Sequence, residues 1–534
     1  MARPHRSGGH RAASAVLAVA LAVGAGAVAQ PAVAAPGASA FAGAAPAPTV
    51  GSALGSFRLA DIPAKDGVVL KADVFTPPPG TPGADPQGRY PVVVQPASWG
   101  QNDLEYVAQG HRFAAAGYVV VTYTVRGFWR SGGEVDVAGP KDVADISTVI
   151  DWALAHTPAD PQHIGMVGLS LGGGLTLLGA AFDPRIKAVA SLSGWADLTD
   201  ALYSGQTRHT QAAAVLAGIQ APTGRKSPEF AKVLDDLFAD RDLPDVIRWA
   251  DTRSPSAYLD RINANGTAVL LANGWGDSFF NPGQITAFYQ RLTVPKRLEL
   301  RPGDHATQEL TGLLGLDNAT WNSARTWLDR YLKGAPDGQG QPVDLEVRPT
   351  GAHEQRPDWQ SVSSRTEHLT FGTEPATVQG GRASGASGGI AVLSGMLDQA
   401  AHQPPTVLVP LLDRSAAAVW QSQPYPQGLP VRGATQLHTT VTASAPQGTA
   451  VAYLYDVNAL GVGRLITHAP QSWSGRPPGQ AFPLDVTLFP TAYDLPAGHR
   501  LALVLGTRDN LYGGVTPAGS TVTFGPAELS LPLR

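Results

Sequence analysis

Residues 168–174 read Gly-Leu-Ser-Leu-Gly-Gly-Gly, and the role of Ser170 decides how the rest of the chain is read. The pattern G-x-S-x-G marks a serine carried on a sharp turn between a buried strand and a helix. In a 534-residue chain with 60 glycines the pattern alone is weak, because Gly385-Ala386-Ser387-Gly388-Gly389 also satisfies it. Context separates the two serines. His163-Ile164-Gly165-Met166-Val167-Gly168-Leu169 reads as a buried strand, and Gly172–Gly179 as a small-residue helix able to approach a sheet closely. Ser387 follows Gly380, Gly381, Ser384 and Gly385, which supply no strand to hold it. Nucleophilic attack needs fixed geometry, so Ser170 is the candidate nucleophile.

Working outward, apolar strand-like runs recur at Val68–Phe75, Tyr90–Val94, Tyr118–Tyr123, Ile164–Leu169, Ala188–Leu192, Ala268–Leu271 and Leu298–Leu300. Helical patterns at Leu104–Ala116, Asp142–Ala155, Leu171–Ala181 and Thr320–Leu332 separate or close them. This rhythm predicts an α/β domain over 57–335 with a mostly parallel sheet covered on both faces. Residues 198–262 lack strands and read as an inserted helical cap. Residues 335–342 read as a linker. From 343 to 534 many short strands, no convincing helix and a Gly/Ser/Ala-rich loop over 372–389 predict a C-terminal β-sandwich.

A serine nucleophile needs a base, and the base needs an orienting carboxylate. In the α/β-hydrolase arrangement these follow in the order serine, acid, histidine, each on a loop after a strand. Ala268–Leu271 runs into Asn273-Gly274-Trp275-Gly276-Asp277, which makes Asp277 the candidate acid. Leu298–Leu300 runs into Pro302-Gly303-Asp304-His305, which makes His305 the candidate base. Asp197 is the runner-up acid, Asp304 a residue shaping the histidine loop, and His209 a cap residue. His163 precedes the nucleophile strand and sits at the wrong sheet edge. For the oxyanion, the backbone N–H of Leu171 is one expected donor, and the loop Gln95–Gly100 should hold the other.

The N-terminus bounds the environment. Arg3, Arg6 and Arg11, the apolar Ala12–Val28 and the A-x-A site Ala32-Val33-Ala34 read as a secretory signal peptide over 1–34. An Ala/Pro/Gly/Ser-rich lead-in over 35–56 follows, and the protein is expected to be secreted. Removing 1–34 leaves 36 basic against 43 acidic residues, a net charge of −7, which argues against nucleic-acid or anionic-membrane partners. The absence of cysteine excludes disulfides, a thiol nucleophile and thiolate metal sites. No zinc-protease helix or phosphate loop is present, and no metal or cofactor is expected; the partner is a small-molecule or peptide substrate.

These motifs in this order resemble the X-prolyl dipeptidyl peptidases and the related cocaine-esterase-type and glutaryl-acylase-type hydrolases. The resemblance runs from about residue 60 to the C-terminus. It rests on Asp66-Gly67-Val68-Val69-Leu70, Thr124-Val125-Arg126-Gly127 with Ser131-Gly132-Gly133, the elbow, and Ser254-Pro255-Ser256-Ala257-Tyr258. It continues through Gly274–Asp277, Pro302–His305, Tyr331-Leu332-Lys333-Gly334, Tyr455-Asp456-Val457 and Ala497–Leu501. The resemblance implies Ser170, Asp277 and His305 as the triad and a jelly-roll topology for the second domain. Leu171 stands where the family usually has an aromatic, and Thr124 where an Asp often precedes Val-Arg-Gly. The family's tyrosine donor is missing from the Gln95–Gly100 loop, so the Ser98 hydroxyl or the Trp99 indole N–H would have to supply the second oxyanion contact.

Two substrate classes stay open. A dipeptidyl peptidase needs an acid for the substrate's amino terminus, with Asp103, Glu105, Asp235 and Asp236 as candidates. A carboxylesterase or acylase needs an apolar pocket, which Trp99, Trp195, Trp275, Phe279 and Phe280 would line unless they are ordinary core or lid residues. A reading from a different class is a secreted polysaccharide-binding protein with an inert α/β domain.

Overall fold

The computed structural model describes residues 55–534. The expected signal peptide over 1–34 lies outside the described residues, as does the lead-in except for Gly55 and Ser56. Strands β1 (Ser56–Pro63) and β2 (Val69–Thr76) form an antiparallel hairpin around Asp66-Gly67. β3 (Tyr90–Pro96), β4 (Val119–Tyr123), β5 (Ala159–Leu169), β6 (Ile186–Leu192), β7 (Ala268–Gly274) and β8 (Lys296–Arg301) supply the parallel centre. Every residue of β4 and β7 is buried, as expected of strands covered on both faces. The covering helices are α1 (Val107–Ala115), α2 (Pro140–His156) and α3 (Leu171–Phe182). α4 (Leu198–Tyr203), α5 (Thr210–Thr223), α6 (Pro228–Ala239) and α7 (Leu243–Asp251) then form the cap, before α8 (Leu259–Asn265), α9 (Pro282–Arg291) and α10 (Ala319–Lys333).

The sheet does not end where the sequence rhythm ends. β9 (Val343–Val347) and β10 (Ala352–Arg356), assigned from sequence to the 343–534 sandwich, complete a ten-stranded sheet in the order β1-β2-β4-β3-β5-β6-β7-β8-β9-β10. β9 is parallel to β8, and β10 is antiparallel to β9. The physical reason is the edge of β8, whose backbone groups need partners once α10 has covered the face. The linker returns the chain alongside it, and Leu298 N–H donates to Pro342 O at 2.8 Å. Val343, Leu345 and Val347 then point into the core, each fully buried.

Beyond β10, a seven-stranded and a five-stranded sheet, both antiparallel, pack face to face over a shared apolar core that includes Val441, Leu454, Leu503 and Phe524. This is the expected β-rich second domain. One segment departs from expectation: Leu393–Ala401 is a helix, α11, directly after the Gly/Ser-rich loop. At nine residues with Gly395 inside it is too short to stand as a helix alone, and tertiary contacts hold it. Gly395 N–H donates to Asp304 Oδ2 at 3.2 Å, and the Arg348 guanidinium donates to Asp398 at 3.0 Å. Arg348 also donates to Ile466 O at 2.6 Å and Thr491 Oγ1 at 2.7 Å, so the end of β9 is bolted to the sandwich. One hydrophobic core runs from Ile62 in the hairpin through Val347 to Tyr453 and Leu511, joining the two domains without a break.

Arg126, in the loop after β4, is 3% exposed. It donates to both carboxylate oxygens of Asp145 on α2, at 2.7 and 2.6 Å, and to Asp66 in the hairpin turn at 2.8 Å. Removing one partner of such a buried cluster leaves a charge without compensation. Arg126→Met is therefore expected to lower unfolding free energy by about 3–5 kcal/mol. Urea denaturation at neutral pH checks this, and a loss within about 0.5 kcal/mol, as for a surface substitution, would show the cluster to be peripheral.

Candidate active site

Ser170 stands between the last residue of β5 and the first of α3 with φ 58° and ψ −117°, a conformation that a non-glycine residue adopts only when its surroundings impose it. The imposition is steric. A Cβ on Gly168 would lie 2.3 Å from Gly172 O, and one on Gly172 would lie 2.2 Å from Pro96 O. Ser170 N–H donates to Leu192 O on β6 at 2.9 Å, tying the turn to the next strand. The Tyr106 hydroxyl accepts from Leu169 N–H at 3.0 Å, and the Ser98 hydroxyl donates to Leu169 O at 3.0 Å. Glu105 Oε2 in turn accepts from Ser98 N–H at 2.8 Å. Burial pushes the Glu105 carboxyl up to about 7.

Asp277 follows β7. Its Oδ1 accepts from Phe279 N–H at 3.0 Å and Phe280 N–H at 2.8 Å, which turns Oδ2 toward His305 Nδ1, 3.1 Å away. His305 follows β8, and its Nε2 lies 2.8 Å from Ser170 Oγ. The rings of Phe279 and Phe280 flank the imidazole, with centroids 4.7 and 4.8 Å from it. With Nδ1–H directed to Asp277, Nε2 is left to accept the Ser170 proton. Burial, the largest single influence, pulls the His305 pKa down, but the Asp277 carboxylate beside it together with the nearby Asp304 and Glu309 outweighs it, leaving it above the ordinary imidazole value.

Asp304 accepts from His305 N–H at 2.7 Å, from Ser278 N–H at 2.8 Å and from the Ser278 hydroxyl at 2.7 Å. It shapes the histidine loop and links it to α11. Burial and the nearby Asp277 charge push its carboxyl up to about 6. Glu309 is fully buried, accepts from the Ser193 hydroxyl at 3.0 Å, and burial raises it to about 7. Sequence reasoning missed Tyr106 and Glu309, since neither belongs to a motif and both act only through chain crossings.

The other sequence candidates fall elsewhere. Asp197 caps α4 and accepts from the Ser256 hydroxyl at 3.0 Å. His163 pairs with Asp160 on the outside, and His209 pairs with the Ser204 hydroxyl against the second domain's Tyr512. Ser387 Oγ accepts from Gly389 N–H at 3.0 Å within its own loop. Both side chains expected as second oxyanion donor are committed: the Ser98 hydroxyl to Leu169 O, and the Trp99 indole N–H to Leu216 O in the cap at 2.8 Å. The Trp99 backbone N–H has no acceptor among the described residues.

An open pocket lies over Ser170, Leu171 and Trp99, roofed by the cap. Of the four aromatics expected to line it besides Trp99, Trp195 and Phe280 do so. Trp275 instead donates its indole N–H to Glu346 O on β9 at 2.8 Å, because the loop it occupies turns toward the sheet extension. Phe279 is taken up by the His305 ring. Among the described residues no group of three or more His, Asp or Glu is placed to hold a metal.

Comparison with known proteins fits this architecture. Residues 66–307 match the family model "X-Pro dipeptidyl-peptidase (S15 family)", and residues 315–529 match "X-Pro dipeptidyl-peptidase C-terminal non-catalytic domain". A putative Xaa-Pro dipeptidyl-peptidase of Bacillus cereus is 21% identical over 463 residues, covering 79% of this chain and 77% of that protein. An uncharacterized 31.7 kDa protein of Escherichia coli is 36% identical over 115 residues, 21% of this chain, and the match spans only 40% of that relative's length. The aminopeptidase of a marine-sediment archaeon, Thaumarchaeota archaeon, superposes with a TM-score of 0.68 at 16% identity, over 93% of this chain and 99% of that one. An alpha-amino acid ester hydrolase superposes with a TM-score of 0.66 at 17% identity, over 93% and 98%. With a matching catalytic domain and a matching C-terminal domain in the family's order, the chain belongs to the X-Pro dipeptidyl-peptidase (S15) family.

Proposed function

We propose that the protein is a secreted serine hydrolase that cleaves an acyl bond, ester or amide, through an acyl-enzyme. The observation that supports this most is His305 Nε2 at 2.8 Å from Ser170 Oγ, with Asp277 behind the imidazole. In this reading His305 takes the Ser170 proton as Oγ bonds to the substrate carbonyl carbon. The negative oxygen that forms is met by the N–H groups of Leu171, at the start of α3, and of Trp99. His305 then gives its proton to the leaving alcohol or amine as the carbonyl–heteroatom bond breaks, and water releases the acid by the same steps reversed. Asp277 keeps the proton on Nδ1 and stabilises the imidazolium.

A fluorophosphonate probe is expected to label Ser170 in the native protein, and Ser170→Ala to abolish both label and turnover. Peptide mapping that finds no label at Ser170 would overturn the assignment.

The rate requires neutral His305, so kcat/KM is expected to fall as pH drops through an apparent pKa above about 6.5. Asp304 and Glu309 face the same imidazole and titrate in this window, at about 6 and about 7. Asp277→Asn removes the charge that holds His305 up. It is expected to move the acid limb to lower pH and cut kcat by about 10⁴-fold. An unmoved limb would assign the titration to another group.

Export is a proposal that rests on residues 1–34. Intact-mass measurement of protein from the culture medium is expected to give a chain beginning at Ala35. A chain retaining Met1 in the membrane fraction would show an anchor instead.

A further inference from the structure

The pocket above Ser170 has a chemistry that separates the two substrate classes. α6 directs Phe230, Val233, Leu234 and Leu237 into it, at i, i+3, i+4 and i+7, and α7 repeats the spacing from Leu243 to Ala250. Apolar stripes of this kind ordinarily pack against another element. Here they surround a pocket that opens onto the nucleophile. Among the described residues no Asp, Glu, Lys or Arg lines it. Of its polar side chains other than Ser170, Thr199 is committed to Asp251 at 2.7 Å, the indoles of Trp99 and Trp195 donate to Leu216 O and Arg253 O, the Tyr203 hydroxyl is neutral, and the buried indole N–H of Trp249 has no partner among the described residues.

The acids considered for binding an amino terminus all lie elsewhere. Glu105 is behind the elbow on Ser98 N–H, and Asp103 accepts from the Thr124 hydroxyl at 2.7 Å. Asp236 is paired with Lys232 and Arg241, and Asp235 is exposed on the outside of α6. An α-ammonium placed in this pocket would lose its hydration with no anion to replace it, whereas an alkyl chain would lose only unfavourable contact with water.

We infer that the cap pocket takes the acyl group of a neutral ester carrying a medium-length aliphatic chain, rather than the free amino terminus of a dipeptide. The inference rests on the proposed Ser170 chemistry. Ser170 Oγ bonds to the ester carbonyl carbon, the carbon–alkoxide bond breaks, and the alcohol departs with the proton from His305. The chain remains in the pocket as an acyl-serine until water cleaves it.

The test compares p-nitrophenyl acetate, butyrate and octanoate with Ala-Pro-p-nitroanilide, and ethyl acetate with octyl acetate. Each buried methylene is worth about fourfold, so kcat/KM for octanoate is expected to exceed that for acetate by at least about 50-fold even with partial burial. Octyl and ethyl acetate should differ little, and Ala-Pro-p-nitroanilide should be the poorest of the chromogenic substrates. In Leu234→Trp, which narrows the pocket, the octanoate-to-acetate ratio should fall at least tenfold, with an unchanged circular dichroism spectrum and cooperative thermal unfolding reporting that the fold is intact. A flat acyl series in the native protein, a preference that follows the alcohol, or Ala-Pro-p-nitroanilide cleaved as well as the octanoate would overturn the inference while leaving Ser170 as nucleophile. Absence of both label and ester hydrolysis would instead overturn the Ser170 reading, and this inference with it.

Discussion

The structure depends on a close approach of backbone at the elbow. β5 delivers the chain to Ser170, α3 departs immediately, and Gly172 passes so near Pro96 that a side chain there would meet its carbonyl oxygen at 2.2 Å. Ser170 must take a positive φ for this turn to close. Strain of that kind persists only when neighbours over-determine it. They do so through Leu192 O from β6, and through Tyr106 and Ser98 from the segment after β3. The same compression leaves the Leu171 N–H at a helix start with no acceptor among the described residues, which is where an oxyanion donor is useful.

Around this turn the molecule is a single mechanical unit rather than a catalytic domain with an appendage. β9 and β10 extend the hydrolase sheet, and Arg348 at the end of β9 is sunk into the sandwich. Trp275, two residues before the proposed acid, is hydrogen-bonded to β9, and Asp304, next to the proposed base, is bonded to α11 of the second domain. The second domain therefore reaches the histidine loop directly, through α11, and the acid loop only by way of β9, without contributing a reacting group. That is a physical role for a domain whose family description is non-catalytic.

The cap works differently. Its helices keep their ion pairs off the pocket, as with Asp236 among Lys232 and Arg241, and turn their apolar stripes toward it. Amphipathic helices in a small insert have two ways to hide such stripes: against each other, or around a cavity that a ligand can complete. The cap of this protein takes the second course, and its lining excludes charge.

The sequence by itself determined the α/β rhythm, the serine elbow and the order of serine, acid and histidine, because each is a local signal. A buried strand shows as an apolar run, a tight turn as glycines, and a site loop as residues just past a strand. Even the cap was legible as helical. What its helices face was not, since a helix packed on a neighbour and one lining a cavity have the same periodicity. Tertiary structure alone decided that β9 and β10 belong to the first sheet, because a strand carries no mark of which edge it will join. It also decided that Ser98 and the Trp99 indole are committed elsewhere, that Trp275 serves the sheet extension, and that α11 forms at all. Each of these depends on a partner distant in the chain, and hydrogen-bond partners across such distances exist only once the fold has closed.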